Sequence, residues 1–266
     1  MITVAITTYN RADIVASAIH SALAFVNSVA GRVIVVDDGS TDETTAMIAR
    51  DFRDAPESGT LTYVVHAKNL GVTAAKNTAF SHARPGWVLF LDSDDELLPE
   101  AARAVGQVLS AHNDEALVFF RCIDEAGNFV GKRFATPQRL SLRRYSANTS
   151  YGETLTAINK ALAPEPPFDA DLFGYEGIGC ARLIKRFGPA LLATEIVRRY
   201  NRSRPDRLSS FSGILKRAPS IARGHLRYIS LFGEEMGRWN RLFMLIKAIA
   251  YFSAGLLSGA VWTGNG

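Results

Sequence analysis

Short apolar runs alternate with amphipathic stretches through the first third of the chain. The runs are rich in Val and Ile and are not interrupted by polar residues, which is typical of strands buried on both faces of a parallel sheet. The stretches between them have the periodicity of the helices in βαβ units. The runs read ITVAITT, VIVVDD, LTYVVH and WVLFLD. This rhythm predicts an α/β fold, with a mostly parallel central sheet flanked by helices.

The second half of the chain has weaker patterns. The runs ALVFFRCI and NFVGKRFA predict a pair of strands joined by a tight turn. Residues 136–174 are rich in Pro, Ser, Thr and Asn and have little periodicity, so an irregular connection is expected there. A short helix at residues 176–187 and a strand at LLATEIVRRY are predicted to follow.

Polar residues follow three of the apolar runs at the point where each run ends. They are Thr7-Thr8-Tyr9-Asn10, Asp37-Asp38 and Asp92-Ser93-Asp94-Asp95. Open parallel sheets bind ligands at the carboxyl ends of their strands. The sequence therefore predicts a binding site at this edge of the sheet.

The last of these clusters concentrates negative charge. Asp92, Asp94, Asp95 and Glu96 lie within five residues. Such a cluster opposes folding unless a cation or several donors neutralise it. Mg²⁺ and Mn²⁺ bind one or two carboxylates and fill their other positions with phosphate oxygens and water. A metal-bound nucleotide diphosphate is therefore the predicted ligand.

Two other acidic-loop chemistries fit the cluster less well. An EF-hand counted from Asp92 needs Gly at position six and Glu at position twelve, where this chain has Leu97 and Arg103. A haloacid-dehalogenase-type phosphatase would place its Asp-x-Asp motif on the first strand and follow it with Thr or Val. Here the motif lies on the fourth run and Asp95 follows it.

Four motifs in order resemble the nucleotide-sugar-binding half of family 2 inverting glycosyltransferases, which have the Rossmann-like GT-A fold. They read VAITTYNR, VIVVDDGSTDET, KNLGVTAAKNTAF and WVLFLDSDDELLP, across about residues 1–112. The resemblance implies a metal-dependent hexosyltransferase, with Mg²⁺ or Mn²⁺ as cofactor. It would move a sugar from a nucleotide diphosphate donor to a hydroxyl acceptor, with inversion at the anomeric carbon.

The resemblance also implies which residues bind the nucleoside. Thr7 and Tyr9 would border the base and ribose, and Asp37 or Asp38 would accept a hydrogen bond from the base. Asp92, with Ser93 beside it, would hold the ribose side. The loop that passes the base matches at Lys68, Asn69 and Gly71.

The diphosphate side is implied in the same way. Lys76 would face the diphosphate, and Asp94 and Asp95 would bind the metal and the diphosphate. The segment YNRSRPDRLS resembles the closing loop of the family, in which basic residues approach the diphosphate. Because a guanidinium can hold phosphate oxygens in a bidentate manner, the candidates there are Arg202, Arg204 and Arg207.

Inverting transfer needs a carboxylate that takes the proton of the attacking hydroxyl. The family places it at the start of a helix, shortly before an Arg-Leu pair. Aligned on Arg182-Leu183, this chain reads Tyr175-Glu176-Gly177, so tyrosine replaces the usual glutamate and Glu176 takes the position of the base. Glu176 is the predicted base, and Asp169 and Asp171 are the nearest substitutes.

Charge is distributed unevenly along the chain. Residues 1–150 carry 14 Lys and Arg against 17 Asp and Glu, a net of −3, whereas residues 151–266 carry 16 against 9, a net of +7. The basic half favours an anionic partner such as phosphates or an anionic membrane surface, and no nucleic acid is expected.

The C-terminal tail is apolar. Between Leu242 and Trp262 the only charge is Lys247, and as a helix this stretch would be roughly 31 Å long. It could span a bilayer, lie in the membrane plane, dock on the core or form an oligomer interface. We expect peripheral membrane contact through this tail.

The chain is predicted to have a glycosyltransferase domain at 1–210 and a helical tail at 211–266. Within the domain, residues 1–112 would form the nucleotide-sugar half and residues 113–210 the acceptor half.

These features together predict an enzyme at the cytoplasmic face of the inner membrane that acts on a lipid-linked saccharide in cell-surface polysaccharide synthesis. Cys122 and Cys180 are expected to be reduced, and no signal-like stretch precedes the first apolar run.

Two rival functions remain. A nucleotidyltransferase would carry a Gly-rich loop after the first strand, where TTYNRADI has no glycine. A non-catalytic nucleotide-sugar sensor or membrane adaptor would keep Tyr9 and Asp38 and lose the base and metal sites.

Overall fold

A single mixed sheet organises the chain. The computed structural model describes residues 1–53, 59–147, 151–201 and 211–257. Its strands are β1 (Ile2–Thr8), β2 (Arg32–Asp37), β3 (Leu61–Val65), β4 (Trp87–Asp92), β5 (Glu96–Leu97), β6 (Leu117–Asp124), β7 (Gln138–Leu140), β8 (Thr154–Asn159) and β9 (Ala190–Tyr200). Its helices are α1 (Val15–Val29), α2 (Thr44–Asp51), α3 (Val72–His82), α4 (Ala101–Ala111), α5 (Leu142–Ala147), α6 (Gly177–Phe187), α7 (Phe211–Phe232) and α8 (Arg238–Leu257).

The strands follow the order β3-β2-β1-β4-β8-β6-β9-β5, and β7 pairs with β9 beside this path. The pairs among β3, β2, β1 and β4 are parallel, as is the pair of β6 with β9. β8 runs antiparallel to both of its neighbours, β4 and β6. β5 and β7 run antiparallel to β9. The predicted α/β fold with a central sheet flanked by helices is confirmed, and the sheet is parallel in its first half and mixed in its second.

Both faces of the sheet are buried, as the uninterrupted apolar runs predict. Val4 and Ile6 of β1 face a core layer formed with α1, α2 and α4. Ala5, between them, faces a second layer formed with α3, α6 and α7. Because successive side chains of a strand point to opposite faces, each strand needs apolar residues at every position.

The parallel register brings the polar strand ends together. Thr7 lies opposite Asp92 in the β1–β4 pair, and Thr8 lies opposite Asp37 in the β1–β2 pair. The carboxyl ends of β1, β2 and β4 therefore form one edge of the sheet.

The prediction of a second strand at NFVGKRFA is wrong. In the described residues only Phe129 of that run makes a bridge, to Ile123. The side chain of Arg121 instead donates to the carbonyl oxygens of Val130 (3.3 Å) and Lys132 (2.8 Å). A buried guanidinium therefore satisfies backbone acceptors that a strand partner would otherwise take.

The prediction of an irregular connection at 136–174 is also wrong in part. The segment contains β7, α5 and β8, and β8 lies inside the sheet between β4 and β6. Its sequence TLTAIN has few large apolar residues, and Leu155 and Ile158 face opposite core layers. Burial between two strong strands stabilises this weak strand, which is a tertiary effect.

The C-terminal region is helical, as predicted. Tyr228 and Phe232 of α7 join the second core layer, and α8 packs on α7 where Gly255 meets Pro219. Within the described parts of the chain, none of the helices has the combination of length and apolar character that crossing a bilayer requires. The predicted domain boundary at 210 falls beside residues that are not described and stays a prediction.

Candidate active site

A cavity of about 390 Å³ opens at the carboxyl ends of β1, β2 and β4. The segment before α6 and the helix α7 close its far side. The predicted site residues that line it are Thr7, Tyr9, Asp38, Asn69, Lys76, Asp92, Ser93, Asp94 and Glu176. Four other predicted residues, Asp37, Lys68, Gly71 and Asp95, are not among its lining. The remaining three, Arg202, Arg204 and Arg207, lie outside the described residues.

The two aspartates after β2 have different environments. Asp37 is buried and accepts hydrogen bonds from the backbone N–H of Ser40 (2.8 Å) and the hydroxyls of Thr45 (2.7 Å) and Tyr63 (2.9 Å). Its carboxylate thus holds the turn between β2 and α2. Asp38 lines the cavity, so of the two it is the residue placed to meet a ligand.

Asp38 also shapes the loop that precedes α3. Its carboxylate accepts the backbone N–H groups of Leu70 (2.9 Å) and Gly71 (2.7 Å), and its Oδ1 lies 2.7 Å from Nδ1 of His66. Lys68 of that loop is exposed, whereas Asn69 faces the cavity. One carboxylate therefore fixes the whole loop against the strand end.

Gly71 allows a close approach at the start of α3. Its φ is +94°, and a Cβ there would lie 2.4 Å from Cδ2 of Phe173, which lines the cavity. Only glycine tolerates both the backbone conformation and the contact. Its contribution is to admit the Phe173 ring that closes the cavity.

We expect Gly71→Ala to lower the free energy of unfolding by about 1–3 kcal/mol, because alanine is strained at this φ. Urea unfolding followed by circular dichroism measures the change. Gly106→Ala is the matched control, since a Cβ at Gly106 meets no atom within 4 Å and the residue lies inside α4. The control should be neutral or more stable by about 0.5–1 kcal/mol. Equal effects of both changes would contradict the role of Gly71.

Lys76 connects the two halves of the cavity. Its Nζ lies 2.9 Å from Oε1 of Glu176 and 3.1 Å from Oδ1 of Asp92. Burial by itself would lower the pKa of Lys76, but Asp92 and Glu176 outweigh it, and the pKa lies above its usual value. The ammonium group is therefore charged and bridges the strand-end cluster to the start of α6.

Glu176 is the only one of the three candidate bases that lines the cavity, among the described residues. It stands at the N-cap position of α6. Asp171 is held by a two-bond ion pair with Arg227 (2.8 and 2.7 Å). Asp169 pairs with Arg182 and with Arg227. Both aspartates form ion pairs with Arg227 and so hold α7 against the 167–176 segment.

Tyr175, which replaces the usual glutamate, packs against α7. Its hydroxyl lies 2.6 Å from Nδ1 of His225. Gly224 admits the tyrosine ring, since a Cβ there would lie 2.6 Å from it. Burial lowers the pKa of His225 to about 4, so the imidazole that bonds to the hydroxyl is neutral at pH 7. The segment that carries Glu176 is thus fixed by α7.

Arg198 of β9 neutralises part of the acidic cluster. Its Nη1 lies 2.9 Å from Oδ2 of Asp95 and 3.7 Å from Oδ2 of Asp92. The other oxygen of Asp95 accepts the backbone N–H of Asn201 (2.9 Å). Asp95 is therefore turned toward β9, and its predicted role as a metal ligand stays a prediction.

Asp94 has less compensation. Burial raises its pKa, and the neighbouring charge of Asp92 raises it further. The pKa of Asp92 itself is lowered: burial acts to raise it, but Lys76 and Arg198 prevail. The cavity thus has a position where an additional positive charge would be stabilised.

The residues present fit a divalent cation bound together with a phosphate ligand. The described residues include no group of three His, Cys, Asp or Glu side chains that would form a complete cage. A hard cation that keeps phosphate oxygens and water as ligands needs only one or two carboxylates. Asp94, which faces the cavity, can supply such a ligand.

The structure adds lining residues that the sequence analysis did not single out. Arg217 reaches the cavity from α7, and its Nη1 donates to the carbonyl oxygen of Phe173 (3.3 Å). Glu153 comes from the segment before β8, and Tyr200 from the end of β9. Arg11 directly follows TTYN and Tyr200 begins YNRSRPDRLS, so both stand in motifs, whereas Glu153 and Arg217 do not. Tertiary packing brings Glu153 and Arg217 to the cavity.

Solved structures share this fold. The structure of S. aureus TarS residues 1–349 superposes with a TM-score of 0.63 at 16% identity, over 99% of this chain and 75% of that one. The mannosyltransferase PcManGT from Pyrobaculum calidifontis, in complex with GDP-Man and Mn²⁺, gives 0.62 at 18% identity, over 98% and 76%. The Rossmann-like GT-A fold expected from the motifs is therefore confirmed.

Sequence relatives agree with the fold. The GalNAc(5)-diNAcBac-PP-undecaprenol beta-1,3-glucosyltransferase of Campylobacter jejuni is 26% identical over 211 residues, which cover 77% of this chain and 65% of that protein. The chain spans 28%, 65% and 27% of the length of the first three curated relatives that it matches. The model of glycosyl transferase family 2 matches residues 3–160, which is more than half of the chain. This chain belongs to glycosyl transferase family 2.

Proposed function

We propose that this glycosyltransferase moves a sugar from a nucleoside diphosphate sugar to an acceptor hydroxyl, with inversion at the anomeric carbon. One observation carries the proposal: Glu176, Lys76 and the Asp92–Asp94 strand end line the same cavity. A proton acceptor thus faces the place where a leaving diphosphate can be held. The complexes of fold neighbours, PcManGT with GDP-Man and TarS with UDP-GlcNAc, support the class of donor.

The nucleoside end of the donor would lie at the carboxyl ends of β1 and β2. Thr7, Tyr9, Asp38 and Asn69 line this part of the cavity. They offer hydroxyl, carboxylate and amide groups, together with an aromatic ring, for contact with a base and ribose. Asp92 and Ser93 would complete the ribose side.

The diphosphate end would lie between β4 and α3. Lys76 is the buried cation there. Its ion pairs with Asp92 and Glu176 place its ammonium group between the strand end and the start of α6, where the diphosphate would lie. A divalent cation held by Asp94 would neutralise charge on the departing diphosphate. We propose Asp94 rather than Asp95 as the principal ligand, because Asp95 is engaged by Arg198 and Asn201.

Glu176 would act as the general base. Its carboxylate takes the proton of the acceptor hydroxyl while that oxygen bonds to the anomeric carbon. The bond from the anomeric carbon to the diphosphate oxygen breaks, and the nucleoside diphosphate leaves with the bonding electrons. Attack opposite the leaving group gives inversion.

A lipid-linked saccharide is the proposed acceptor, in cell-surface polysaccharide synthesis at the cytoplasmic face of the inner membrane. The Campylobacter relative bears the name of an undecaprenyl-diphosphate-linked acceptor, which supports this class. The net charge of +7 over residues 151–266 would also suit an acceptor with an anionic diphosphate and its membrane.

Release of nucleoside diphosphate from a panel of UDP- and GDP-sugars tests the proposal. We expect release with one donor, loss of release in EDTA, and recovery on addition of Mn²⁺ or Mg²⁺. Asp94→Asn should lower turnover by about 10²–10³-fold, because the leaving group loses its electrostatic stabilisation.

Three results would contradict the proposal or its parts. Donor binding without release under any condition would instead favour a non-catalytic sensor. Full activity in EDTA would show that the reaction needs no divalent cation. Release of inorganic pyrophosphate from a nucleoside triphosphate would point to a nucleotidyltransferase.

A further inference from the structure

The last described helix exposes a continuous apolar surface. We define the α8 apolar face as the residues of α8 whose large apolar side chains are at least two-fifths exposed. Trp239 is 80% exposed, and Ile249 is 59% exposed. The other members are Leu242, Phe243, Leu245, Ile246, Phe252 and Leu256. Soluble proteins rarely expose a patch of this kind unless it binds something.

The apolar face of α8 lies on the side of the helix that points away from α7. Residues 240, 244, 248, 251 and 255, which are spaced by three or four, are buried or half-buried. They form the side that packs on α7, where Tyr251 contacts the ring of His225. On the opposite side, where a surface helix is normally polar, α8 carries the apolar face.

Basic residues border this face. At 100° per residue, Arg241 and Lys247 project on its two edges, while Arg238, the first residue of α8, projects within the face at its N-terminal end. The Nζ of Lys247 lies 4.5 Å from the ring centroid of Phe243. Residues 238–257 contain no Asp or Glu. The carboxylates that precede the helix in the sequence are Glu234 and Glu235, and Glu235 pairs with Lys185 (2.6 Å).

We infer that α8 lies in the plane of an anionic lipid bilayer, with its apolar face among the acyl chains and Arg241 and Lys247 at the headgroups. Charge decides between this occupant and a second copy of the chain. A two-fold contact through the same face would bring the basic edges of both copies together without a carboxylate between them. Anionic headgroups complement those edges.

The inferred orientation would bring the active site close to the membrane surface. α7 packs on α8 on one side and supplies Arg217 to the cavity on the other. Packed helices are separated by roughly 8–10 Å, so about one helix layer would separate the cavity from the bilayer. This step alone rests on the proposed function, because only a lipid-linked acceptor requires such proximity.

Vesicle co-sedimentation of the full chain, without substrates, tests the inference. We expect binding to an equal mixture of phosphatidylcholine and phosphatidylglycerol, much weaker binding to phosphatidylcholine alone, and a decrease at high salt. Ile246→Ser/Ile249→Ser and Arg241→Glu/Lys247→Glu should each weaken binding by about ten-fold or more.

Matched controls distinguish an effect of the α8 apolar face on vesicle binding from a general effect of net charge or exposed apolar surface. Arg84→Glu/Arg103→Glu makes the same change in net charge at exposed residues elsewhere, and Val65→Ser/Leu162→Ser removes exposed apolar side chains elsewhere. Both controls should bind as the wild type does. Thermal melts confirm that each variant is folded.

A second measurement follows the helix directly. In a Trp262→Phe background, the tryptophans are the buried Trp87 and the exposed Trp239. Emission should shift to shorter wavelength on addition of anionic vesicles, and Trp239→Phe should abolish the shift.

Two outcomes would overturn the inference: unchanged vesicle binding in the folded α8 variants, or absence of vesicle binding together with a dimer that Ile246→Ser/Ile249→Ser dissociates. Sugar transfer to a soluble acceptor is measured separately. Loss of sugar transfer with intact vesicle binding would count against the proposed function alone. Intact sugar transfer without vesicle binding would count against this inference alone.

Discussion

Glu176→Gln should lower the turnover of sugar transfer by about 10²–10⁴-fold, the usual contribution of a general base. The amide has nearly the same shape, and its oxygen can still accept from Lys76, which lies 2.9 Å from Oε1 in the native protein. Donor binding should therefore be nearly unchanged. Single-turnover assays measure the first effect, and calorimetric titration with the nucleoside diphosphate measures the second.

The other carboxylates serve as controls for Glu176. Asp171→Asn should leave turnover within about two- to three-fold of wild type, because Asp171 pairs with Arg227 and does not line the cavity. Glu153→Gln is the sharper comparison, since Glu153 does line it. Near-normal turnover in Glu176→Gln, with a collapse in Glu153→Gln, would move the base to Glu153.

Tyr175 stands where the family resemblance implies a glutamate, and its contacts with α7 help to hold Glu176 in place. The hydroxyl of Tyr175 bonds to His225, and Arg227 on the same helix holds Asp169 and Asp171. α7 thus holds the segment before α6 through these residues and through Arg217, which donates to the carbonyl oxygen of Phe173. The helix that supports α8 is therefore also the one that positions the predicted base.

The nucleotide half of the fold could be predicted because its signals are local. β1, β2 and β4 are continuous apolar runs, and parallel strands necessarily present their carboxyl ends at one edge. Nine of the sixteen predicted site residues line the cavity, and most of them stand at those ends. A short connection after each strand leaves little freedom for the polar side chains that follow.

The rest of the site depends on which neighbour a residue meets. Arg198 and Arg199 are adjacent in β9 and must point to opposite sides of the sheet, but the sequence does not say which side is buried. Asp94 and Asp95 lie in the turn between β4 and β5, and only the structure shows that Asp94 faces the cavity while Asp95 faces Arg198. Arg217 joins the site only because α7 packs against the sheet. Such residues need a tertiary structure to be found.

Arg198→Met should cause the largest loss of stability of any single change described above, about 3–5 kcal/mol in the free energy of unfolding. The guanidinium is 3% exposed and lies 2.9 Å from Asp95, whose side chain is fully buried. Burial already holds the pKa of Asp95 above its usual value, and Arg198 acts to lower it, so without Arg198 the carboxyl must take up a proton or keep an uncompensated buried charge. Methionine fills much of the volume, so the loss reports charge rather than a cavity.

Arg199→Met provides the control for Arg198→Met on the same strand. Arg199 pairs with Glu96 at 3.1 Å, with both side chains more than a third exposed, and its loss should cost under about 1 kcal/mol. Adding Asp95→Asn to Arg198→Met should restore part of the stability, since the amide oxygen still accepts from Asn201 without a charge. Urea unfolding in EDTA compares the four proteins. Equal losses for the two arginines, or no recovery in the double variant, would show that Arg198 does not stabilise the acidic cluster.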